Sequence, residues 1–296
     1  MIGFLGEIGS KLADRWAASL VVPGLLYLAA VTAASVLGQG HALSYLDVSR
    51  TITRWAGSPA LKSVGGTALV AAAVLAGSVA TGLLAGVGGR LAEIGWTLPG
   101  RRAPARWLAA WRRKRSRAAK EIADNPGSTP AQVRLAIARA DRICLIEASR
   151  PTWIGDRLRA CRVRIEQIYG IDLDTSWPRL WLIFPDNVRV ELSTARGAFS
   201  AAARLFAWAV LYMLLGIWWW PAVLIALITG ATAMVRARLA TSDLADLIEA
   251  SVDLYTRTLA AQLDEPAAGP LTRAAGRALT ARMRKSRWDP DSPLAD

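Results

Sequence analysis

The side chains that most often carry catalysis or bind metals are scarce in this sequence. The chain has one histidine, His41, and two cysteines, Cys144 and Cys161, which lie 17 positions apart without a CxxC spacing. A zinc site needs several such ligands and a Ser-His-Asp triad needs its histidine, so neither has the necessary residues. A glycine-rich phosphate loop, HExxH and GxSxG are also missing from the sequence. We therefore expect no enzymatic activity, no cofactor and no metal.

Asp172 and Asp174, in the segment GIDLDTSWP, are the remaining candidates for acid–base chemistry. Carboxylates at this spacing are also typical of a helix N-terminus, where they accept hydrogen bonds from backbone N–H groups, and we favour that role. The two cysteines each fall on the apolar face of a predicted amphipathic helix. We expect them to be reduced, buried thiols.

A cluster of basic residues interleaved with tryptophan is the strongest candidate for a binding surface. It lies in PARWLAAWRRKRSRAAKEIA (104–123), where two tryptophans are one helical turn apart. Beside a membrane, basic side chains attract anionic headgroups by about 1 kcal/mol each, and tryptophans anchor a helix in the interface. We expect contact with anionic lipid or with a protein surface; nucleic acid is the weaker alternative, since no nucleic-acid-binding motif is present. The predicted contact residues are Arg106, Trp107, Trp111, Arg112, Arg113, Lys114, Arg115 and Arg117.

The elements that position these residues include long stretches without charge. Residues 17–38 and 63–89 contain none, and the 39 residues between Arg196 and Arg236 contain only Arg204. A membrane-spanning helix needs about 20 apolar residues. Together with the overall hydrophobic content of 53%, these stretches predict an all-α, polytopic membrane protein with four transmembrane helices in two hairpins, plus a cytoplasmic helical domain.

Charge distribution predicts the orientation and the division of the chain. Residues 97–197 carry 20 basic and 10 acidic residues, most of the net charge of +13, so the positive-inside rule places them in the cytoplasm. We expect both termini to be cytoplasmic as well. The predicted segments are a cytoplasmic N-terminus (1–16), a first hairpin (17–96) with an external loop (39–62), a basic helical domain (97–200), a second hairpin (201–238), an amphipathic helix (239–265) and a basic or disordered tail (266–296).

Within the basic domain, local signals predict a small bundle of about four helices. Thr129, Pro130 and Gln132 resemble a capping box. The segment 151–170 is amphipathic, with Ile154, Leu158, Cys161, Ile165 and Ile168 on one face and Gly170 placed to end the helix. A further helix is expected to begin at Trp177-Pro178. After the last apolar stretch, residues 242–263 predict an amphipathic helix whose acidic face is a candidate partner for the basic cluster.

The segment LLGIWWWPAVLIALITG (214–230) predicts a tight helical hairpin. A proline inside a continuous helix would kink or break it, whereas at the first position of a second helix it is favoured. Each leg, counted as 15 residues, would be about 22 Å long, shorter than a bilayer core of about 30 Å. The predicted turn residues are Trp218, Trp219, Trp220 and Pro221.

Small residues at a spacing of four mark one face of the second apolar stretch. Ser78, Gly82 and Gly86 would let another helix approach closely. We favour packing against the first helix of the same chain, and a contact between copies of the chain is the alternative.

PTWIGDRLRA, followed by YGID and WPRLW (150–183), resembles a segment of a poorly characterised group of bacterial integral membrane proteins, mostly actinobacterial. The resemblance implies an inner-membrane protein with a cytoplasmic helical insert, and it brings no activity and no catalytic residues. Our leading functional prediction is a membrane-anchored scaffold or regulatory protein that presents cytoplasmic helices to a protein partner or to itself. The alternatives are an oligomeric pore or membrane-perturbing effector, and a membrane-tethered nucleic-acid binder.

Overall fold

The computed structural model describes residues 21–40, 42, 44, 49–50, 53, 63–100, 103, 105–125, 129–135, 149–263 and 272–284. These residues form helices and turns, and none of them lies in a strand. This confirms the all-α prediction for the described part of the chain. Besides one helical turn at 130–135, the helices are α1 (Val22–Leu37), α2 (Val64–Thr97), α3 (Ala105–Asp124), α4 (Trp153–Tyr169), α5 (Leu173–Ile183), α6 (Asp186–Leu215), α7 (Pro221–Gln262) and α8 (Arg273–Met283).

The chain divides into two compact units. The first contains the residues up to Glu93 together with Ser200–Arg236, and the second contains Ile94–Phe199 together with the residues from Ala237 onward. The predicted basic domain (97–200) therefore lies largely in the same unit as the predicted amphipathic helix (239–265) and tail (266–296).

In the first unit, α1 packs against α2 through small residues. A Cβ at Gly24 of α1 would collide with the backbone carbonyl of Ser78 of α2. Ser78 is fully buried, and Gly82, one turn later, is buried too. Gly86 has open space where its Cβ would be. Ser78 is thus packed against α1 of the same chain.

Aromatic side chains connect α1 with α6 in the same unit. The ring of Tyr27 lies 5.9 Å from Trp208 and 5.3 Å from Tyr212, in tilted and edge-to-face arrangements typical of aromatic pairs. A Cβ at Gly230 of α7 would lie 3.5 Å from the Cβ of Ala209 of α6. These contacts show that α1, α6 and α7 pack together within the first unit.

The three tryptophans lie in the turn between α6 and α7. α6 ends at Leu215, residues 216–220 form a turn, and Pro221 is the first residue of α7. The predicted leg length is wrong, because α6 has 30 residues and α7 has 42, or about 45 and 63 Å. Each helix continues through the arginines that flank its apolar part, since no proline interrupts either one there.

Three helices, α2, α6 and α7, are long and apolar enough to cross a membrane. Only 17% of the most apolar stretch of α2 is buried within the chain, and its leucines and valines are largely exposed. A continuous apolar surface of this kind is the surface that lipid covers in a membrane protein. α1 is apolar but has 16 residues, about 24 Å of helix.

The core of the second unit is built from five helices. Buried apolar residues of α4, α5, α6, α7 and α8 form one cluster, and edge-to-face rings of Trp177, Trp181, Phe184 and Tyr255 extend it. Leu279 and Met283 of α8 are part of this core. The segment 273–283 is thus the short helix that the sequence allowed as one of two outcomes for the tail.

Three of the local predictions for the second unit agree with the structure, and three do not. Thr129 and Gln132 form the reciprocal bonds of a capping box, Gly170 ends α4 at φ 71°, and Asp172 caps α5. Ile168 is exposed, not on the buried face of α4. The helix predicted to begin at Trp177-Pro178 begins instead at Leu173, and the amphipathic helix predicted at 242–263 is the C-terminal part of α7.

Candidate functional site

The C-terminal end of α2 is capped by side chains from the segment that precedes α4. The hydroxyl of Thr152 donates to the carbonyl of Trp96 at 2.5 Å, and the guanidinium of Arg150 donates to the carbonyl of Thr97. The last carbonyls of a helix lack partners within it, so these two bonds satisfy groups that would otherwise be costly to bury. Burial, and then the charge of Arg162, lower the pKa of Arg150 from its ordinary value.

Asp156, in the first turn of α4, is the centre of a buried polar cluster. Its Oδ2 accepts a hydrogen bond of 2.6 Å from Nη1 of Arg112 on α3. Its Oδ1 accepts from the backbone N–H groups of Ser149 and Arg150 at 3.1 and 3.0 Å. Nη1 of Arg112 also donates to the carbonyl of Arg150 at 2.8 Å. A buried carboxylate with this many donors is fully compensated.

The next residue, Arg157, makes the corresponding link to α7. Its guanidinium lies 2.6 Å from Asp246 and 3.2 Å from Glu249, and its own side chain is buried. Arg164, two turns further along α4, contacts the other oxygen of Glu249 at 2.8 Å. The acidic face of the 242–263 segment, predicted as a candidate partner for the basic cluster, contacts α4 through Asp246 and Glu249.

We name the residues Arg112, Arg150, Asp156, Arg157 and Glu249 the polar joint. Gly155 lies inside it, because a Cβ there would come 2.6 Å from the carbonyl oxygen of Trp96. The joint ties the end of α2, the basic helix α3, and α7 to the first turns of α4. Arg112 is paired with Asp156 and Arg157 with Glu249, while the guanidinium of Arg150 donates to the carbonyl of Thr97.

Gly155, Asp156 and Arg157 lie within PTWIGDRLRA, and no function was predicted for them. One signal could have found Arg157: it lies three positions after Ile154 and one before Leu158, on the face that the apolar pattern assigns to the core. Asp156 lies on the opposite face, and no such signal marks it. Arg112, by contrast, was predicted to contact lipid or a partner at the surface. In the structure it is only 9% exposed and lies within the polar joint.

The rest of the basic cluster lies at the surface of α3. Arg106, Lys114, Arg115 and Arg117 are exposed, and Arg113 is half-buried. Trp107 and Trp111 are 73% and 53% exposed, and the guanidinium of Arg115 lies 5.3 Å from the ring centre of Trp111. The structure thus brings together the predicted tryptophans and most of the predicted cations on one accessible surface.

One of the three tryptophans of the hairpin packs against the chain and two lie at the surface. The indole N–H of Trp219 donates to the carbonyl of Ala42 at 3.0 Å, and its ring packs beside Leu215 and Ala222. The amide of Gln39 donates to the carbonyl of Ile217 at 2.8 Å. The turn is therefore fastened to the chain that leaves α1, while Trp218 and Trp220 are exposed.

A cavity of about 580 Å³ opens between α4, α5, α6 and α7 in the second unit. Its floor is formed by buried aliphatic side chains and the thiol of Cys161, and Trp177 and Trp181 stand at its wall. Arg162, Asp174 and Arg196 lie at its rim. Sequence reasoning did not predict it, because the lining comes from four helices that are far apart in the chain.

Cys161 is a free, buried thiol, as predicted; Cys144 lies outside the described residues. Burial first, and then the charge of Glu249, raise the pKa of Cys161 to about 12. A thiol in this state is a poor nucleophile. In the part of the chain that the structure describes, no three His, Cys, Asp or Glu side chains lie close enough together to hold a metal ion.

Comparison of the chain with models of protein families, with curated proteins and with solved structures found no match.

Proposed function

We propose that this protein is a non-enzymatic scaffold of the bacterial inner membrane, and that it presents the exposed face of α3 to a protein partner or to a second copy of itself. The observation that carries the proposal is the two-sided character of α3. Ala109, Arg112 and Ser116 on one side are buried, and Arg112 is held by Asp156. The opposite side carries large apolar residues at the surface.

The exposed apolar residues of α3 follow a helical spacing. Trp107 and Trp111 are four positions apart, and Ile122, three turns after Trp111, lies on the same side and is 51% exposed. Lys114 and Arg115 flank this stripe. Tryptophan and arginine are the residue types enriched where proteins bind one another, and a buried aromatic group with a charged rim is typical of such contacts. We expect anionic headgroups to contact the flanking cations as well.

The proposed topology has four membrane crossings, with both termini and residues 97–200 in the cytoplasm. Support for α1 as a fourth crossing comes from its packing within the first unit. Tyr27 contacts α6 near Trp208, and Gln39 contacts the turn after α6, so α1 runs beside the apolar part of a helix that is long enough to span. The excess of basic residues in 97–197 supports the orientation.

Photo-crosslinking in intact membranes tests the scaffold. A p-benzoylphenylalanine at Trp111 should give an adduct with another protein or with a second copy of the chain. The matched control is the same group at Gln167, an exposed polar position on α4, which should give much less. If position 111 forms adducts with lipid alone and the protein is a monomer after gentle solubilisation, the scaffold proposal is contradicted and α3 is a membrane anchor.

The pore alternative is not favoured by the structure of the small-residue face. A contact between copies through Ser78 would need this residue at the surface, and Ser78 is fully buried against α1. The scaffold is therefore the function that we propose.

A further inference from the structure

We propose that three arginines of the first unit, Arg90, Arg204 and Arg236, form a site for the headgroups of anionic phospholipids. We name these three residues the arginine collar. One comes from each of the three helices that are long and apolar enough to cross a membrane. The collar belongs to the first unit and the α3 surface of the proposed function to the second, so the lipid site and the α3 contact can be lost independently of each other.

Arg90 and Arg204 are brought together where α2 packs against α6. A Cβ at Gly89, the residue before Arg90, would lie 2.8 Å from Cγ and 3.1 Å from Cα of Arg204. The Cα atoms of Arg90 and Arg204 are therefore no more than about 8.5 Å apart. Gly89 is buried and both arginines are exposed, so the missing side chain lets the stem of Arg204 pass against α2 while the residue stays accessible.

The hairpin of α6 and α7 places Arg236 at the level of Arg204. The two helices run in opposite directions from the turn, and a Cβ at Gly230 would lie 3.5 Å from the Cβ of Ala209. Arg204 precedes Ala209 by five positions, and Arg236 follows Gly230 by six. The two arginines therefore differ in height by about one residue, or about 1.5 Å. Arg236 is exposed as well.

The charge of the collar is not balanced within the described part of the chain. None of its three guanidinium groups has a hydrogen-bond or ion-pair partner among the described residues. The sequence contains no acid from 63 to 92 or from 192 to 242, and Glu93, three positions after Arg90, has a different interaction. Like charges held at one level repel one another, and a bound anion removes this repulsion.

The position of the collar along the helices matches the edge of a bilayer. Arg90 directly follows the uncharged stretch 63–89, and Arg236 ends the apolar part of α7. From Pro221 to Val235 this part is about 22 Å long, shorter than a bilayer core of about 30 Å. Long arginine side chains bridge such a difference by extending toward the headgroups. The exposed tryptophans of the turn lie at the opposite end, as is typical of the other interface.

A phospholipid phosphate is the anion that a bilayer supplies at this level. Guanidinium groups bind phosphate oxygens through parallel N–H bonds, and basic residues at a membrane surface attract anionic lipids. A zwitterionic headgroup carries a cation beside its phosphate, which the collar repels, so a headgroup with a net negative charge binds better. The acyl chains of the bound lipid contact exposed apolar residues of α2 such as Leu83 and Val87, two turns and one turn before Arg90.

The experiment measures lipid binding to the full chain in detergent by native mass spectrometry. We expect phosphatidylglycerol to bind more tightly than phosphatidylcholine with the same acyl chains. Glycerol 3-phosphate, which carries a phosphate but no acyl chain, should not displace the lipid. Equal affinities for the two lipids would overturn the proposal, and displacement by glycerol 3-phosphate would assign the collar to a soluble anion instead.

Substitutions of the three arginines locate the site. Each of Arg90→Gln, Arg204→Gln and Arg236→Gln should weaken the binding of phosphatidylglycerol about fivefold, and the triple variant about a hundredfold, as expected for cations near a membrane surface. The corresponding triple lysine variant should keep most of the affinity, because it keeps the charge. A triple glutamine variant that binds as the native chain does would contradict the assignment.

Two control variants remove charges elsewhere. Arg277→Gln removes an exposed arginine of α8 and should leave the affinity for phosphatidylglycerol unchanged. The double variant Lys114→Gln, Arg115→Gln removes cations of the α3 surface and should weaken binding far less than the triple collar variant. A loss in either control as large as that of the triple variant would mean that the headgroup is bound outside the collar.

Discussion

The carboxylate of Asp156 and the guanidinium of Arg112 are joined at 2.6 Å across 44 positions of the chain, and both side chains are almost entirely buried. This pair fixes which side of α3 faces the protein. Because Arg112 points inward, Trp107 and Trp111, which lie five positions and one position before it, point outward. A buried ion pair thus sets the orientation of the surface that we propose binds a partner.

Replacing Asp156 should destabilise the second unit strongly. Asp156→Asn leaves the buried Arg112 without its counter-charge, which costs about 3–5 kcal/mol when one member of a buried pair is removed. Thermal denaturation in detergent measures the effect. Asp174→Asn is the control, since Asp174 forms an exposed pair with Arg162 and such pairs contribute about 0–1 kcal/mol. Equal shifts in Tm for the two variants would show that the buried pair has no special role.

Gly155 should not tolerate even one methyl group. In Gly155→Ala the new Cβ would lie 2.6 Å from the carbonyl oxygen of Trp96 and 2.8 Å from Cδ of Arg150, so the capped end of α2 has to move at a cost of about 1–3 kcal/mol. Gly197 on α6 is a matched helical glycine with open space around it. Gly197→Ala should be neutral or stabilising by about 0.5–1 kcal/mol; a parallel loss of stability in both variants would contradict the close contact.

The thiol of Cys161 should be nearly inert while the chain is folded. With burial and Glu249 raising its pKa to about 12, its thiolate fraction at pH 8 is roughly a thousandfold below that of an ordinary thiol. Maleimide labelling in a Cys144→Ser background should be slow, and should rise about tenfold for each pH unit while the fold persists.

The control for this reaction is a second thiol on the same helix. Gln167→Cys, at an exposed position of α4, should label at the ordinary rate. Labelling of Cys161 as fast as this control at pH 8 would mean that the cavity floor opens readily.

Asp172 should make the stability of the second unit depend on acid. Burial tends to raise its pKa, but hydrogen bonds from Arg284, Thr175 and the N–H of Asp174 outweigh burial and lower it below the ordinary value of 3.8. A depressed carboxyl pKa stabilises the folded state above the unfolded value, and this contribution disappears as pH falls through the folded value. The difference in Tm between the native chain and Asp172→Asn should therefore be largest near pH 7 and shrink below pH 4.

Asparagine is a suitable replacement because it caps a helix about as well as aspartate, so the comparison isolates the charge. A Tm difference that stays constant from pH 7 to pH 3 would assign the contribution of Asp172 to capping alone.

The parts of the fold that the sequence predicted are those with local causes. A capping box, a glycine in the left-handed region and a proline after three tryptophans act within a few residues, so Thr129, Gly170 and Pro221 could be placed from spacing alone. The start of α5 was misplaced because the proline signal at Pro178 was weighted above Asp172. The Asp172 carboxylate accepts bonds from the N–H of Asp174 and the hydroxyl of Thr175 and so starts the helix earlier, and Pro178, its sixth residue, removes one backbone hydrogen bond without ending it.

The parts that could not be predicted depend on partners far away in the chain. Arg112 and Asp156 look like surface charges in any local window, and only the approach of α3 to α4 buries them. The continuity of α7 was missed for a different reason. A change from apolar to amphipathic composition after Arg238 marks a change of surroundings, and without a proline or a helix stop it does not end the helix.

The proposed topology predicts opposite accessibility for the hairpin turn and for α3. Trp218 is 64% exposed in the turn after α6, and with residues 97–200 in the cytoplasm this turn lies at the outer face. In a chain without native cysteines, Trp218→Cys should react with a membrane-impermeant maleimide added to intact cells. Lys114→Cys, exposed on α3, should react only after the membrane is permeabilised. The reverse pattern would invert the topology, and a Trp218→Cys thiol that reacts on neither side would place the turn within the bilayer, which would reduce the second hairpin to a re-entrant one.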